Sequence, residues 1–501
     1  MLFNSVEFIF LFLPLTVFIF FTISRLFNSR AAALWFTLAS LFFYGFWNPG
    51  YVPLLISSIL FNYLIGLELL GPTRKIGQER LRKRILVFGI TINLLLLGYY
   101  KYTLFLVQNL NHVLGLKLYL GNIVLPIGIS FFTFTQISFL VDAYRRNAGK
   151  YDILHYGLFV TYFPHLIAGP ILHHKEMLPQ FSQPKNYRLS YENLAVGLSI
   201  FFVGLLKKVV LADMGAAGYV EPIFGRAARG GNLSTLDCWG GALAYTLQLY
   251  FDFSGYSDMA IGLARIFGIK LPANFYSPYK ATSIIEFWQR WHMTLSRFLR
   301  DYLYIPLGGN RLGTVRRYAN LMITMLLCGL WHGAGWTFIL WGGLHGFYLV
   351  SNHVWRQWKR SSRLVNLRNR WFTRMGGSLL TFLCVVIGWV VFRAKDIKTA
   401  GVVLQRMFSW TSLSIFEIDW LMWGSILFLL SIVWFCPNTQ QIMERFDPVL
   451  NMQKTSPIGR FWQHLRWCPN WAWAVVFAII SAVSLTTVVF SNVKEFLYFQ
   501  F

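Results

Sequence analysis

Three histidines, His292, His332 and His345, lie in or beside apolar segments of the chain. An imidazole can take a proton from a hydroxyl or a thiol near neutral pH, so each of them could serve as a general base. His332 and His345 fall in a run from Tyr318 to Trp355 that contains no Lys, Arg, Asp or Glu. An ionisable side chain at membrane depth is a functional hypothesis by default, which makes these histidines the first residues to place.

The charge-free run must break. As one helix it would be about 57 Å long, whereas the hydrocarbon core of a bilayer is about 30 Å thick. Gly333-Ala334-Gly335 is the predicted break, because glycine lowers helix preference and lets the backbone turn. The segment from Tyr318 to Trp331 then covers about 21 Å, so His332 is expected to stop short of the far membrane surface unless the helix begins earlier. This position, between Trp331 and Trp336, favours a catalytic role for His332.

The stretch 284–305 has a different pattern. Charged residues such as Arg290 and Arg300 alternate with large apolar ones at three- and four-residue steps. This is typical of one helix that lies along an interface or lines a water-filled recess, so we expect solvent or substrate to reach His292. His345 follows His332 by thirteen residues and would lie on nearly the opposite face of a continuous helix. A packing role is predicted for it.

Two acids, Asp252 and Asp258, lie within an apolar run at about 238–267. Uncompensated carboxylates would be costly there, so hydrogen bonds within the bundle or a polar cavity are expected around them. The predicted substrate channel comprises Asp252, Asp258, Trp331, Trp336 and Arg300.

Other kinds of chemistry have no signature in the chain. There is no G-x-S-x-G elbow, P-loop or G-x-G-x-x-G fingerprint, and the ten histidines form no H-x-x-x-H or H-E-x-x-H motif. The five cysteines are scattered and odd in number, which excludes a closed disulfide set. We expect no metal site and no permanently bound cofactor.

Composition indicates an all-α polytopic protein of the lipid bilayer. The chain is 56% hydrophobic and only 13% charged, and apolar runs of spanning length recur from end to end. Roughly 10–12 transmembrane helices are predicted, with interfacial helices and a broken or re-entrant segment near the two prolines of 163–170, around a central funnel. The net charge of +25 is spread over short basic clusters between apolar runs, which is typical of cytoplasmic loops and not of a nucleic-acid-binding surface. Their spacing puts both termini outside.

Four motifs resemble the membrane-bound O-acyltransferase family, and within it the branch of alginate O-acetylation proteins. They are F-P-H-L-I-A-G-P at 163–170, L-Y-F-D-F-S-G-Y-S-D-M-A-I-G at 249–262, F-W-Q-R-W-H-M-T-L-S-R-F-L-R-D-Y-L-Y-I-P-L-G-G-N-R at 287–311 and G-L-W-H-G-A-G-W at 329–336. The resemblance implies a single domain over 1–501, with a core at 120–355, C-terminal helices at 377–490 and an extracytoplasmic tail at 491–501. It implies that His332 is catalytic and that His292 is the second signature residue.

The C-terminal sequence F-L-Y-F-Q-F at 496–501 is similar to the F-x-Y-x-x-F ending of this branch. The resemblance implies that Tyr498 carries the acyl group, and an anchor in the aromatic belt of the membrane is the alternative.

The function that the resemblance implies is transfer of acetyl from a cytoplasmic donor, acetyl-CoA, across the bacterial inner membrane. A periplasmic SGNH or esterase-like partner would then place it on an exported polysaccharide such as alginate. Peptidoglycan and cellulose are alternative acceptors, and a transporter or a scaffold of the acetylation complex is the alternative class of protein.

Overall fold

The computed structural model describes residues 1–71, 77–361, 371–409, 419–450, 460–491 and 495–497. Within these ranges the protein is helical, with an isolated bridge between Pro272 and Leu450 as its β-type pairing. The predicted all-α membrane fold is confirmed. Tyr498 lies outside the described residues.

The described chain forms twenty α-helices, joined by irregular segments and short 3₁₀ turns. They are α1 (Phe8–Leu26, which begins with a π-helical turn), α2 (Ser29–Gly45), α3 (Val52–Leu70), α4 (Gly77–Leu114), α5 (Ile129–Tyr144), α6 (Ile153–Thr161), α7 (Phe163–Leu166), α8 (His174–Phe181), α9 (Tyr191–Met214, π-helical from Lys207), α10 (Ala217–Ala228), α11 (Thr235–Ile266), α12 (Ile284–Trp288), α13 (Met293–Leu299, continued as a π-helix by Arg300–Tyr304), α14 (Gly313–His332), α15 (Trp336–Ser361), α16 (Trp371–Arg393), α17 (Ile397–Met407), α18 (Trp420–Phe435), α19 (Thr439–Ile442) and α20 (Trp471–Phe490).

Six helices of the described chain are long and apolar enough to cross a membrane: α1, α3 with the turn before it, α4, α9, α16 and α20. This makes the protein a multi-pass membrane protein. Other long helices, α11, α14 and α15, carry more polar residues and lie among these six in the chain. The number of 10–12 spans and the central funnel stay predictions.

The buried helix α11 is the axis of the fold. Its residues are buried almost continuously from Ala244 to Ile266, and α9 packs along its length. The two helices approach closely because glycines face each other: an added Cβ on Gly204 would lie 2.6 Å from the carbonyl oxygen of Gly255, and one on Gly255 would lie 2.7 Å from that of Gly204. Small residues permit such close contact between membrane helices. The contact brings the π-helical end of α9 beside the acids of α11.

The predicted break at 333–335 is confirmed, since α14 ends at His332 and α15 begins at Trp336. The first half begins earlier than the charge-free run. α14 starts at Gly313 and has 20 residues, so it is about 30 Å long and not about 21 Å. The basic residues Arg316 and Arg317 lie in the first turns of this helix.

The α14–α15 hairpin depends on a glycine contact that can be tested. An added Cβ on Gly329 would fall on the carbonyl oxygen of Phe338, far inside van der Waals distance, whereas one on Gly343 would lie 3.5 Å from Leu326 Cδ2. We expect Gly329→Ala to destabilise the protein by about 2 kcal/mol or more, because overpacking forces the helices apart. Gly343→Ala on the facing helix is the matched control and should be neutral or slightly stabilising. Thermal unfolding in detergent measures both, and equal melting temperatures would contradict the close contact.

Two regions of the chain are irregular. The predicted break near 163–170 is confirmed, because α6 ends at Thr161, the four-residue α7 follows, and the chain then runs without regular structure to His173. The prediction of one interfacial helix at 284–305 was wrong. Two short helices, α12 and α13, are separated there by a turn in which His292 has a positive φ of 43°.

Candidate active site

His332 ends α14 inside a ring of aromatic side chains. Its imidazole centre lies 4.9 Å from that of Trp331, 5.1 Å from that of Trp341 on α15 and 5.3 Å from that of Phe392 on α16, each in an edge-on arrangement. The residue is 6% exposed. Helix α14 positions the histidine, and the neighbouring helices shield it from bulk solvent.

A narrow pocket reaches His332 from the side of α11. Leu249, Asp252, Phe253, Trp291, His332, Trp389, Phe392 and Leu497 line it. Its cavity volume is about 20 Å³, which is room for about one water molecule. The lining is apolar apart from His332 and Asp252. The imidazole of His332 is the basic group that faces this space.

The backbone around His332 is held by a half-buried lysine. Lys101 on α4 donates from Nζ to the carbonyl oxygens of Trp331, at 2.5 Å, and of His332, at 3.2 Å. Its neighbour Tyr102 donates from its hydroxyl to the carbonyl of Leu330, at 2.9 Å. These carbonyls belong to the last turn of α14, which has no later helical N–H groups to bind them. A cation at the negative end of the helix dipole therefore fixes the place where the catalytic candidate lies.

This helix end offers a second test. Lys101→Met removes two charge-assisted hydrogen bonds, so we expect a loss of about 2 kcal/mol in the free energy of unfolding and roughly tenfold slower acyl transfer. Tyr102→Phe removes one neutral hydrogen bond to the same turn and should cost about 1 kcal/mol with little change in rate. Melting temperature in detergent and product formation measure the two effects. A Lys101→Met protein as fast as Tyr102→Phe would show that the lysine does not position His332.

His292 is not accessible, and the expectation that solvent reaches it was wrong. It is 0% exposed, because the positive-φ turn between α12 and α13 points it into the bundle. Its Nδ1 lies 3.1 Å from Asn274 Oδ1, and its ring stands edge-on to Phe253 at 4.8 Å. Among the described residues Nε2 has no hydrogen-bond partner. Its ring centre lies 6.1 Å from that of Trp331, so one tryptophan separates the two signature histidines.

The two acids of α11 are paired with consecutive lysines of α9. Lys208 Nζ donates to Asp252 Oδ1 at 2.5 Å, and Lys207 Nζ donates to Asp258 Oδ2 at 2.6 Å. The expectation that the carboxylates are hydrogen-bonded within the bundle is confirmed. Of the two, Asp252 lines the pocket and Asp258 does not.

The other three residues predicted for the substrate channel are Trp331, Trp336 and Arg300. Trp331 is buried against His332, but Trp336 is 56% exposed and donates to Asn109, and Arg300 pairs with Asp301. None of Trp331, Trp336 and Arg300 lines the pocket, so the pocket gives no support to their predicted place in the channel. His345 is fully buried among Trp288, Trp341 and other rings, and its role in packing stays a prediction.

Comparison with known proteins places this site in a family. The family model of the membrane-bound O-acyltransferases matches residues 88–392, which contain both histidines and the helices around them. The chain belongs to the membrane-bound O-acyltransferase family. It is therefore a membrane-bound acyltransferase.

The chain is similar to several bacterial relatives over most of its length. It is 44% identical to the peptidoglycan O-acetyltransferase of Helicobacter pylori over 81% of this chain and 80% of that protein. It is 42% identical to the probable alginate O-acetylase AlgI of Pseudomonas aeruginosa, over 84% of this chain and 77% of the relative. A more distant similarity, 28% identity over 53% of the chain and 68% of the relative, links it to the teichoic acid D-alanyltransferase of Streptococcus thermophilus.

Among the residues at the site that sequence reasoning missed are Lys101, Lys208 and Leu497. Two of them had a signal. Lys101 and Lys208 are cations inside apolar runs that are otherwise long enough to span a membrane, where a charge requires a partner. Leu497 lies in the C-terminal motif at 496–501, but at one of its variable positions, so its residue type gave no sign of the pocket.

Proposed function

We propose that this protein takes acetyl from acetyl-CoA in the cytoplasm and delivers it across the bacterial inner membrane for O-acetylation of an exported polysaccharide. The observation that carries the proposal is the pocket shared by His332 and Leu497, because it joins the family's histidine to the residue that precedes Tyr498. A small apolar pocket suits an acetyl group better than a long acyl chain.

In the proposed first step His332 is the general base. It takes the proton of the Tyr498 hydroxyl while the phenolic oxygen attacks the thioester carbonyl of acetyl-CoA. The C–S bond breaks, and the proton passes from His332 to the leaving sulfur, so that the products are acetyl-Tyr498 and free coenzyme A. In the second step a hydroxyl of the partner or acceptor takes the acetyl group, and Tyr498 recovers its proton.

His292 is proposed to orient the donor or substrate beside His332. Its Nδ1 is engaged by Asn274, so Nε2 is the atom that can bind a polar group of the substrate. His292 is enclosed and does not line the pocket, so this role requires the site to open towards Nε2 when the substrate binds. The basic clusters of the predicted cytoplasmic side, one of which includes Arg80 and Lys83 in the first turns of α4, are proposed to attract the phosphates of coenzyme A.

The proposed orientation puts both termini outside. Helices α4 and α14 each begin in a basic segment, with Arg80 and Arg82 in the first turns of one and Arg316 and Arg317 in those of the other. Lys101 and His332 lie about 36 Å and 29 Å farther along these helices, towards the opposite membrane surface. Basic segments favour the cytoplasm, which supports a site in the outer half of the bilayer.

The acceptor is proposed to be a polysaccharide hydroxyl in the cell envelope, reached through a periplasmic SGNH or esterase-like partner. Alginate and peptidoglycan are supported about equally, because the relatives named for them are 42% and 44% identical to this chain. Cellulose stays an alternative from sequence. D-alanyl transfer has weaker support, since the relative named for it is 28% identical.

The test is the acetyl content of envelope polymers in a strain that lacks the gene. Purified peptidoglycan and secreted polysaccharides are treated with alkali, and the released acetate is quantified with and without the complementing wild-type gene. We expect one polymer to lose its acetate and to regain it on complementation. Unchanged acetate in every polymer would contradict the proposed function and favour a transporter of another compound.

A further inference from the structure

The buried pair of Lys208 and Asp252 also binds the end of the described chain. The two side chains are 1% and 3% exposed. Lys208 Nζ donates to the carbonyl oxygen of Glu495 at 3.0 Å, and the N–H of Leu497 donates to Asp252 Oδ2 at 3.2 Å. One carboxylate oxygen of Asp252 therefore binds the lysine and the other binds the chain end, so the pair grips the backbone on both sides of Phe496.

Phe496 is the residue held in this grip. It is 1% exposed, its ring lies 4.8 Å from Lys208 Nζ, and Tyr256 meets it edge-on with ring centres 4.3 Å apart. The ammonium over the ring face adds a cation–π contact to the two backbone hydrogen bonds. An aromatic anchor, a charged donor and a charged acceptor thus converge on three consecutive residues.

The neighbouring ion pair, Lys207 with Asp258, shows that binding the chain end is not a general consequence of joining α9 to α11. Lys207 and Asp258 also join α9 to α11, but their further partners are Thr439 and Gln440, which precede α20 in the chain. Two adjacent ion pairs of similar chemistry therefore bind two different segments. Linking α9 to α11 needs no contact with the chain end, so the contacts to 495–497 call for another explanation.

The pocket beside His332 explains the contacts to residues 495–497. Asp252 and Leu497 both line the space that His332 faces, so the grip ends at the site itself. We propose that Lys208 and Asp252 are positioning residues, which clamp the backbone around Phe496 and deliver the chain end that follows Leu497 to the His332 pocket. The inference rests on the proposed function, since delivery matters to the reaction only if the chain end takes part in acyl transfer.

The first experiment needs no acyl chemistry. The full-length protein in detergent is treated with carboxypeptidase, and the remaining chain is measured by intact mass spectrometry. We expect trimming of the wild type not to proceed past Leu497, and trimming of Lys208→Met and of Phe496→Ala to continue towards Ser491. Phe496→Ala leaves the ion pair intact, so it tests the clamp even if Lys208→Met folds poorly. Lys207→Met is the matched control and should keep the wild-type limit.

The second experiment measures acetyl transfer in the same variants. Misplacement of a reacting group by about 1 Å can cost roughly 100-fold in rate, so we expect losses of about 10- to 100-fold in Lys208→Met and in Phe496→Ala. If the lysine acts through the chain end, the double variant is no slower than the slower single one. If Lys208 has only a structural role, the rate losses of the two single variants multiply in the double variant. The melting temperature then falls, and carboxypeptidase trimming does not change. Lys208→Arg should restore part of the rate.

The outcomes separate the two proposals. Loss of acetylation in His332→Ala together with wild-type trimming in Lys208→Met and Phe496→Ala overturns the clamp and leaves the function standing. Extended trimming in both variants, with acetylation unchanged in them and in His332→Ala, supports the physical clamp but overturns the function and with it the delivery role. We expect extended trimming in both single variants, together with a double variant that is no slower than the slower single one.

Discussion

Replacement of His332 by alanine is expected to lower acetylation of the target polymer by at least about 100-fold. General base catalysis by a positioned side chain contributes roughly 10²- to 10⁴-fold, and the pocket of the described residues contains no other imidazole to take over the proton. The measurement is alkali-released acetate from the polymer, in a strain whose membranes contain the variant at wild-type abundance.

His345→Gln is the matched control for this variant. His345 is equally buried, and it contacts the same Trp341 at 4.7 Å between ring centres, but it does not line the pocket. We expect this variant to keep most of the activity. Retained acetylation in His332→Ala at normal abundance would remove the catalytic role and favour a transporter or scaffold. Equal losses in both variants would point to disruption of the aromatic cluster instead.

The second large effect is expected from Tyr498→Phe, which removes one oxygen atom. If that oxygen carries the acetyl group, the variant should lose polymer acetylation to about the same extent as His332→Ala, because the route then has no acceptor for the first step. Phe keeps the aromatic ring, so an anchor in the membrane interface would survive the change with little loss.

A direct readout distinguishes the carrier from an anchor. Purified protein is incubated with isotopically labelled acetyl-CoA, digested and analysed by mass spectrometry. We expect a labelled acetyl group on Tyr498 in the wild type and none in His332→Ala. Tyr191→Phe, a change at a tyrosine that is 81% exposed, is the control and should retain both label and activity. Full activity of Tyr498→Phe would assign the tyrosine to anchoring.

Local features of the chain predicted much of the fold. The apolar runs that became α1, α2, α3, α9 and α20 were recognisable because hydropathy and length are properties of a segment by itself. The break at 333–335 followed in the same way from glycines within a run too long to span. Errors arose where an element's extent depends on its neighbours. α14 begins within a charged segment, and Asn320 of this helix joins it to the preceding loop by donating to the carbonyl oxygens of Leu307 and Gly309.

The same division applies to the site. The amino-acid sequence by itself determined the membrane class, the family motifs and the choice of His332 and His292, since these depend on residue types at fixed spacing. Only the tertiary structure decided that His292 is enclosed, that Lys101 caps the helix of His332 and that Lys208 joins Asp252 to residue 495, which is 287 positions away in the chain. Such pairings depend on which faces of distant helices meet. That is set by close packing through glycines such as Gly204 and Gly255, and not by any local pattern.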